Sequence, residues 1–183
     1  MVNALVLMAE GFEEIELTSI VNILRRGGLN VTIAGLKDGL TTGARGIRIQ
    51  PDASLDSLKE MYDILILPGG SPGYVNLGKD KRVIDILKQY HTQGKIIAAI
   101  CGGPSVLAKA GILSGKKATI FPGMEDELKD AMYVDNPVVE DGKIITSQGP
   151  GTAIDFALTI LSRLTSEKKV EEVKERLIYY HET

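Results

Sequence analysis

Lys95 to Gly111 reads KIIAAICGGPSVLAKAG, and this run decides the fold. Ile96-Ile97-Ala98-Ala99-Ile100 is a short, unbroken apolar segment, the pattern of a strand buried on both faces of a parallel sheet. Cys101, the only cysteine, follows at once, and Gly102, Gly103 and Pro104 come next. From Ser105 the residues Val106, Leu107 and Ala110 take helical spacing, and Gly111 is placed to end that helix. A thiol between a buried strand and a new helix has two readings. It can be a small hydrophobe filling a gap, the commoner fate of a free cysteine. It can also be a nucleophile elbow, a strained turn that presents the nucleophile above the sheet. The order strand, Cys, Gly-Gly, helix favours the elbow. There, uncovered N–H groups and the positive end of the helix would favour a thiolate and hold the thiol below its ordinary pKa of about 8.5.

Outward from this run the chain alternates strands and helices. Residues 2–8 read as an apolar strand. Residues 13–26 read as a helix, with Leu17, Ile20, Val21 and Leu24 on one face and Arg25 and Arg26 near its C-terminus. Residues 29–35 complete a β-α-β unit. Residues 39–50 suggest a small hairpin, and Ser54 can cap a short helix to about residue 61. Residues 63–67 form another buried strand, ended by Pro68-Gly69-Gly70, and Ser71-Pro72-Gly73-Tyr74 is too rich in breakers to be regular. A helix over about 79–92 turns Val83, Leu87 and Tyr90 inward.

Beyond the elbow, 118–121 reads as a short strand and 125–132 as a short acidic helix. Residues 138–140 and 143–147 flank the hairpin signal Asp141-Gly142. Thr152 can cap a helix to about residue 164, and 166–180 form a last helix with a solvated, mixed-charge face. The pattern calls for α/β architecture, a mostly parallel sheet with helices on both faces. Sites in such sheets lie outside the carboxyl ends of the strands. Three loops with unusual chemistry leave those ends: Glu10-Gly11-Phe12-Glu13, Pro68-Gly69-Gly70 and Cys101-Gly102-Gly103.

The length of 183 residues fits one domain, spanning 1–183, with a sizeable core. Apolar content of 44%, charged content of 25% and a net charge of −3 describe an ordinary globular chain. There is no basic stripe, so a nucleic-acid-binding surface is not expected, and no apolar run approaches a membrane span. The N-terminal residues lack the marks of a signal peptide, and one cysteine excludes an internal disulfide, so the cytoplasm is the expected location. His91, His181 and Cys101 make no metal-ligand cluster, so neither a metal nor another cofactor is expected.

AEGFEEIE (9–16), PDASL (51–55), DILILPGG (63–70), IIAAICGGP (96–104) and SQGPGTAIDFAL (147–158) together resemble the ThiJ/PfpI superfamily, in its order and over nearly the whole chain. The subgroup most resembled is that of bacterial YajL and the parkinsonism-associated deglycase of animals. The resemblance implies a flavodoxin-like three-layer sandwich, a homodimer, and a reactive Cys101 paired with a carboxylic acid at Glu16. It favours an oxyanion hole from the Gly70 and Gly102 N–H groups, with Gly69 beside them, over a plain strand-ending turn. Arg45 matches a family arginine near the site. Spacing alone does not choose Glu16 over Glu13, which could instead serve the helix N-terminus. A carboxyl at the edge of the apolar face would lose water, keep its proton and donate it to a thiolate.

The chain also departs from the superfamily. Many members carry histidine directly after the cysteine, where this chain has Gly102. Another subgroup supplies a histidine from a later loop, at the position of Phe121, and Gln148 stands where animal members have a second arginine. Neither His91 nor His181 is placed to act as a base. These departures weigh against peptidase or amidotransferase chemistry by a Cys-His dyad. The resemblance implies a glyoxalase III- or deglycase-type enzyme that needs no cofactor. It would turn methylglyoxal or glyoxal into lactate or glycolate through a Cys101 hemithioacetal, with Glu16 shuttling the proton. An oxidative-stress sensor or chaperone working through oxidation of Cys101 is the alternative, and an intracellular cysteine peptidase is a third, from the superfamily name alone.

Overall fold

The structure, a computed structural model, describes residues 2–179. Seven strands form the central sheet: β1 (Asn3–Met8), β2 (Asn30–Gly35), β5 (Ala53–Ser54), β6 (Ile64–Leu67), β7 (Ile96–Ile100), β10 (Val138–Asp141) and β11 (Ile144–Ser147). Two-stranded pieces are made by β3 (Thr41–Thr42) with β4 (Arg48–Ile49) and by β8 (Lys117–Ala118) with β9 (Met132–Tyr133). The central order is β10-β11-β7-β6-β1-β2-β5. Every pair is parallel except the hairpin of β10 and β11 around Asp141-Gly142.

Alternation along the strands divides the core into two layers. Val6, Met8, Ile64, Ile66, Ala98 and Ile100 face helices α1 (Glu14–Arg26), α5 (Ala153–Leu164) and α6 (Glu167–Leu177). Leu5, Leu7, Leu65, Leu67, Ile97 and Ala99 face α2 (Gly73–Lys79), α3 (Lys81–Thr92) and α4 (Gly103–Lys109). This is the three-layer α/β sandwich expected from the alternation. Strands β1, β6 and β7 are wholly buried over their central residues, which is why they read as continuous apolar runs.

Local expectations failed where side chains found partners that spacing does not show. Ser71 to Tyr74 is not all irregular, because α2 starts at Gly73. A Cβ on Gly73 would meet the Gly11 carbonyl oxygen at 2.7 Å, so this glycine permits close packing on the first loop. The helix expected over about 79–92 is α3, which starts at Lys81 with Asp80 as its N-cap, and Val83, Leu87 and Tyr90 point inward as expected. The helix after Ser54 is one 3-10 turn, Leu55–Ser57, and the Ser54 side chain does not cap it. The acidic helix is likewise a 3-10 turn, Glu125–Leu128, and Met132 belongs to β9. The strand expected over 118–121 ends at Ala118. Thr152 precedes α5, but its hydroxyl bonds the Gly149 carbonyl and lies 2.6 Å from the Ser147 hydroxyl rather than capping the helix. The last helix, expected over 166–180, is α6 and ends at Leu177, where Ile178 is its left-handed C-cap; His181 lies outside the described residues.

Candidate active site

Cys101 sits at the carboxyl end of β7 with φ +61°, a left-handed conformation that a residue with a side chain adopts only under constraint. Its N–H donates to the Ser147 carbonyl at 3.0 Å, and its own carbonyl accepts the Phe121 N–H at 3.1 Å. Neighbours on both sides therefore hold the elbow. Gly69 lies against it, where a Cβ would meet the Cys101 Cβ at 2.6 Å and Sγ at 3.0 Å. Gly70 takes φ +88° and packs on the first loop, where a Cβ would meet the Glu13 nitrogen at 2.2 Å.

The two candidate carboxylates divide their work. Glu13 is the N-cap of α1, and its Oε2 accepts the Glu16 N–H at 2.7 Å. Glu16, wholly buried, sends Oε2 to the Gly69 N–H at 2.7 Å. Its Oε1 has no hydrogen bond of regular geometry, yet the carboxyl interacts with the Cys101 thiol closely enough to alter both titrations. Desolvation raises the Glu16 pKa to about 7; the Gly69 N–H opposes this, nearby Glu13 adds to it, and the thiol opposes it.

The thiol itself reverses the expectation of a lowered pKa. Burial, and then the charge of an ionised Glu16, push Cys101 up to about 12. The Gly70 and Gly102 N–H groups pull the other way and do not prevail. The helix that was expected to favour the thiolate is only seven residues long, and desolvation outweighs it. Two contributions that raise the thiol come from the Glu16 carboxylate, so they vanish when Glu16 carries the proton. Cys101 and Glu16 are thus one coupled acid, in which one proton leaves the pair near pH 7 and the second is held tightly.

The sulfur opens into a cleft of about 300 Å³ whose walls include Glu13, Arg45, Tyr74, Phe121 and Met124. The cleft is smaller than the cavities of about 530 and 410 Å³ along α1 and beneath α6, but it is the one of the three that Cys101 lines. The DJ-1/PfpI family profile matches residues 2–163. This chain belongs to the DJ-1/PfpI family. It is 43% identical to protein dj-1beta of Drosophila melanogaster over 180 residues, covering 96% of each chain. The crystal structure of Drosophila melanogaster DJ-1beta matches with a TM-score of 0.95 at 42% identity, covering 98% of this chain and 99% of that one. A Caenorhabditis elegans relative named glutathione-independent glyoxalase DJR-1.2 is 38% identical over 175 residues, 93% of each chain. Oxidised DJ-1 of Toxoplasma gondii matches with a TM-score of 0.94 at 34% identity, covering 99% of this chain and all of the other.

Around the sulfur of this DJ-1/PfpI member, the structure brings together Cys101, Glu16, Gly69, Gly70 and Gly102, with Arg45 on the cleft wall. Phe121 is also on the wall, whereas Gln148 donates to Asp135 at 2.8 Å. His91 is exposed in the last turn of α3, which leads into the amino end of β7, opposite the elbow. Among the described residues no imidazole lines the cleft, and no group of three or more His, Cys, Asp or Glu side chains could hold a metal. No described helix is long and apolar enough to cross a membrane.

One residue escaped the sequence reading. Glu14 is buried, and its Oε1 accepts the Arg45 N–H at 2.6 Å and the Ile47 N–H at 3.3 Å. It thereby fixes the β3–β4 turn that carries Arg45. The only sequence signal was a second acid at the start of an amphipathic helix, next to one with an evident capping role.

Proposed function

We propose that this chain is a cofactor-independent cysteine enzyme converting small 2-oxoaldehydes to 2-hydroxy acids: methylglyoxal to lactate and glyoxal to glycolate. The observation that carries this reading is the wholly buried Glu16 carboxyl, held near pKa 7 against the elbow thiol. A general base poised near neutral pH is effective in proton transfer. The family relationship and the glyoxalase named among the relatives support the same reaction class.

In this reading Glu16 takes the Cys101 proton as the sulfur bonds to the aldehyde carbon. The Gly70 and Gly102 N–H groups receive the developing oxyanion, and the proton that Glu16 took passes to that oxygen, completing the hemithioacetal and restoring the carboxylate. In well-studied enzymes, losing one such donor costs roughly 2.7–4 kcal/mol. Glu16 then removes the hydrogen on the former aldehyde carbon as a proton, giving an enediolate. The proton returns to the neighbouring carbon while the hydroxyl proton of the former aldehyde carbon passes to the neighbouring oxygen, leaving a thioester on sulfur. Water attacks the thioester carbonyl, the C–S bond breaks, and the thiol regains its proton. The oxidised and reduced carbons lie in one molecule, so no external oxidant or reductant enters the balance.

Deglycation of early glycation adducts would use the same thiol, the amine leaving with a proton as sulfur bonds to the carbinol carbon. A homodimer is part of the proposal, supported by Ile15 and Ile47, which are 55% and 56% exposed. So is a cytoplasmic location, which rests on the lone cysteine.

The test uses Cys101→Ala and Glu16→Gln with methylglyoxal, measuring lactate. Each variant is expected to lose at least about 100-fold in rate. Undiminished lactate from either would end the mechanism. A second reading, a sensor or stress chaperone switched by oxidation of Cys101, is favoured by the oxidised Toxoplasma relative and by the exposure of the sulfur to the cleft. Mild peroxide followed by mass spectrometry should add two oxygens to Cys101. Methionine oxidation with Cys101 unchanged would remove that reading.

A further inference from the structure

We propose that the cleft selects 2-oxoaldehydes bearing a flat apolar group on the ketone carbon, and that Phe121 sets this preference. The inference rests on the reaction class proposed above and names the substrates within it. Phe121 is 43% exposed and stands in the wall of the cleft into which Cys101 opens. Its backbone is tied to the nucleophile, because its N–H donates to the Cys101 carbonyl at 3.1 Å. Its ring lies over Gly149, where a Cβ would meet Cδ2 at 3.3 Å and Cε2 at 3.6 Å. A second ring lines the same cleft: Tyr74 packs on Gly102, where a Cβ would meet its Cδ1 at 2.5 Å. Met124 adds a soft apolar surface to the wall.

The charged groups on the wall are few. Glu13 is occupied as the N-cap of α1, and the Arg45 side chain is the one cation among the lining residues, its backbone N–H held by Glu14. Once sulfur bonds to the aldehyde carbon, the ketone carbon is its neighbour, and the substituent on that carbon is held within the cleft whose lining includes Tyr74, Phe121 and Met124. Hydrogen, in glyoxal, would leave this apolar surface wet. A methyl group would cover part of it, and a phenyl group would cover more and pack against an aromatic ring of the wall. Because even a single methylene in an apolar pocket discriminates by about tenfold or more, the effect is measurable.

The experiment measures kcat/KM for glyoxal, methylglyoxal and phenylglyoxal with the full chain and with Phe121→Ala and Phe121→Tyr. Phenylglyoxal is isomerised and hydrated to mandelate, so product is counted directly. The expected order is phenylglyoxal, methylglyoxal, glyoxal. Phe121→Ala should lower the ratio of phenylglyoxal to glyoxal about tenfold, and Phe121→Tyr should keep it. No preference in the parent chain, or an unchanged ratio in Phe121→Ala, overturns the proposal. A second arm needs no turnover: protection of Cys101 from iodoacetamide by benzaldehyde or by acetaldehyde. If no 2-oxoaldehyde is consumed, the reaction class fails, yet stronger protection by benzaldehyde that is lost in Phe121→Ala still supports the aromatic wall. Equal protection by the two aldehydes overturns it.

Discussion

The Cys101 thiol and the Glu16 carboxyl form one acid: the thiol lowers the pKa of the carboxyl, and the ionised carboxyl raises that of the thiol. The pair binds two protons in acid and one above neutrality. Its singly protonated form can start chemistry, because a proton can pass from sulfur to Glu16 as sulfur attacks.

Activity should therefore rise with pH through about 7, as the first proton leaves. Glu16→Gln should lose that inflection along with at least about 100-fold in kcat/KM for methylglyoxal. A pH-rate profile of both proteins checks it. Stability should move the other way. Glu16 has a folded pKa raised above its ordinary value of 4.5, so its stabilising contribution is complete below about pH 4.5 and is lost as pH rises to about 7. The loss is on the order of 3 kcal/mol at most. Urea unfolding at pH 5 and pH 8 should show a smaller difference between the two conditions for Glu16→Gln than for the parent.

Gly69→Ala places a methyl group 2.6 Å from the Cys101 Cβ and 3.0 Å from the Gly102 nitrogen. The elbow must shift. A misplacement near 1 Å can cost about 100-fold in rate, and overpacking costs about 1–3 kcal/mol. Steady-state kinetics and thermal melting of the variant should show both losses.

Glu14→Ala leaves the Arg45 and Ile47 N–H groups without their acceptor. A loss of about 1–3 kcal/mol is expected if those groups stay away from water. Because the same turn carries Arg45 into the cleft wall, kcat/KM should fall as well. Glu14→Gln keeps an acceptor oxygen and should recover most of both, as denaturant unfolding and kinetics can show.

The exposed isoleucines make the association state testable. Sedimentation at micromolar concentration should give about twice the 19.7 kDa chain mass, and Ile15→Asp combined with Ile47→Asp should give a monomer. A parent chain that sediments as a monomer contradicts the dimer.

Much of this was legible from side-chain type alone. Ile96 to Ile100 had to be buried on both faces, and a cysteine followed by two glycines had to turn there, so sheet and elbow could both be read. The α2 start at Gly73 could not, because its breakers serve close packing against Gly11, a contact between residues far apart in the chain. Capping by Thr152 failed because its hydroxyl bonds the Gly149 carbonyl and meets the Ser147 hydroxyl instead. The direction of the Cys101 shift was missed because glycine amides and a helix end are visible in sequence, whereas the depth of burial and the charge of Glu16 are not. Spacing alone did not separate Glu13 from Glu16; the family resemblance favoured Glu16, and the structure places Glu13 at the helix cap and Glu16 on the Gly69 N–H beside the thiol.

The shared proton is tested most directly by the rate of Cys101 alkylation with iodoacetamide from pH 5 to 10, in the parent chain and in Glu16→Gln. Cys101 is the only thiol, so every event reports on it. The parent should show a rise centred near pH 7 that Glu16→Gln lacks, the variant keeping only an alkaline rise. Superimposable profiles would mean that the two groups titrate independently, and the mechanism built on their coupling would be wrong.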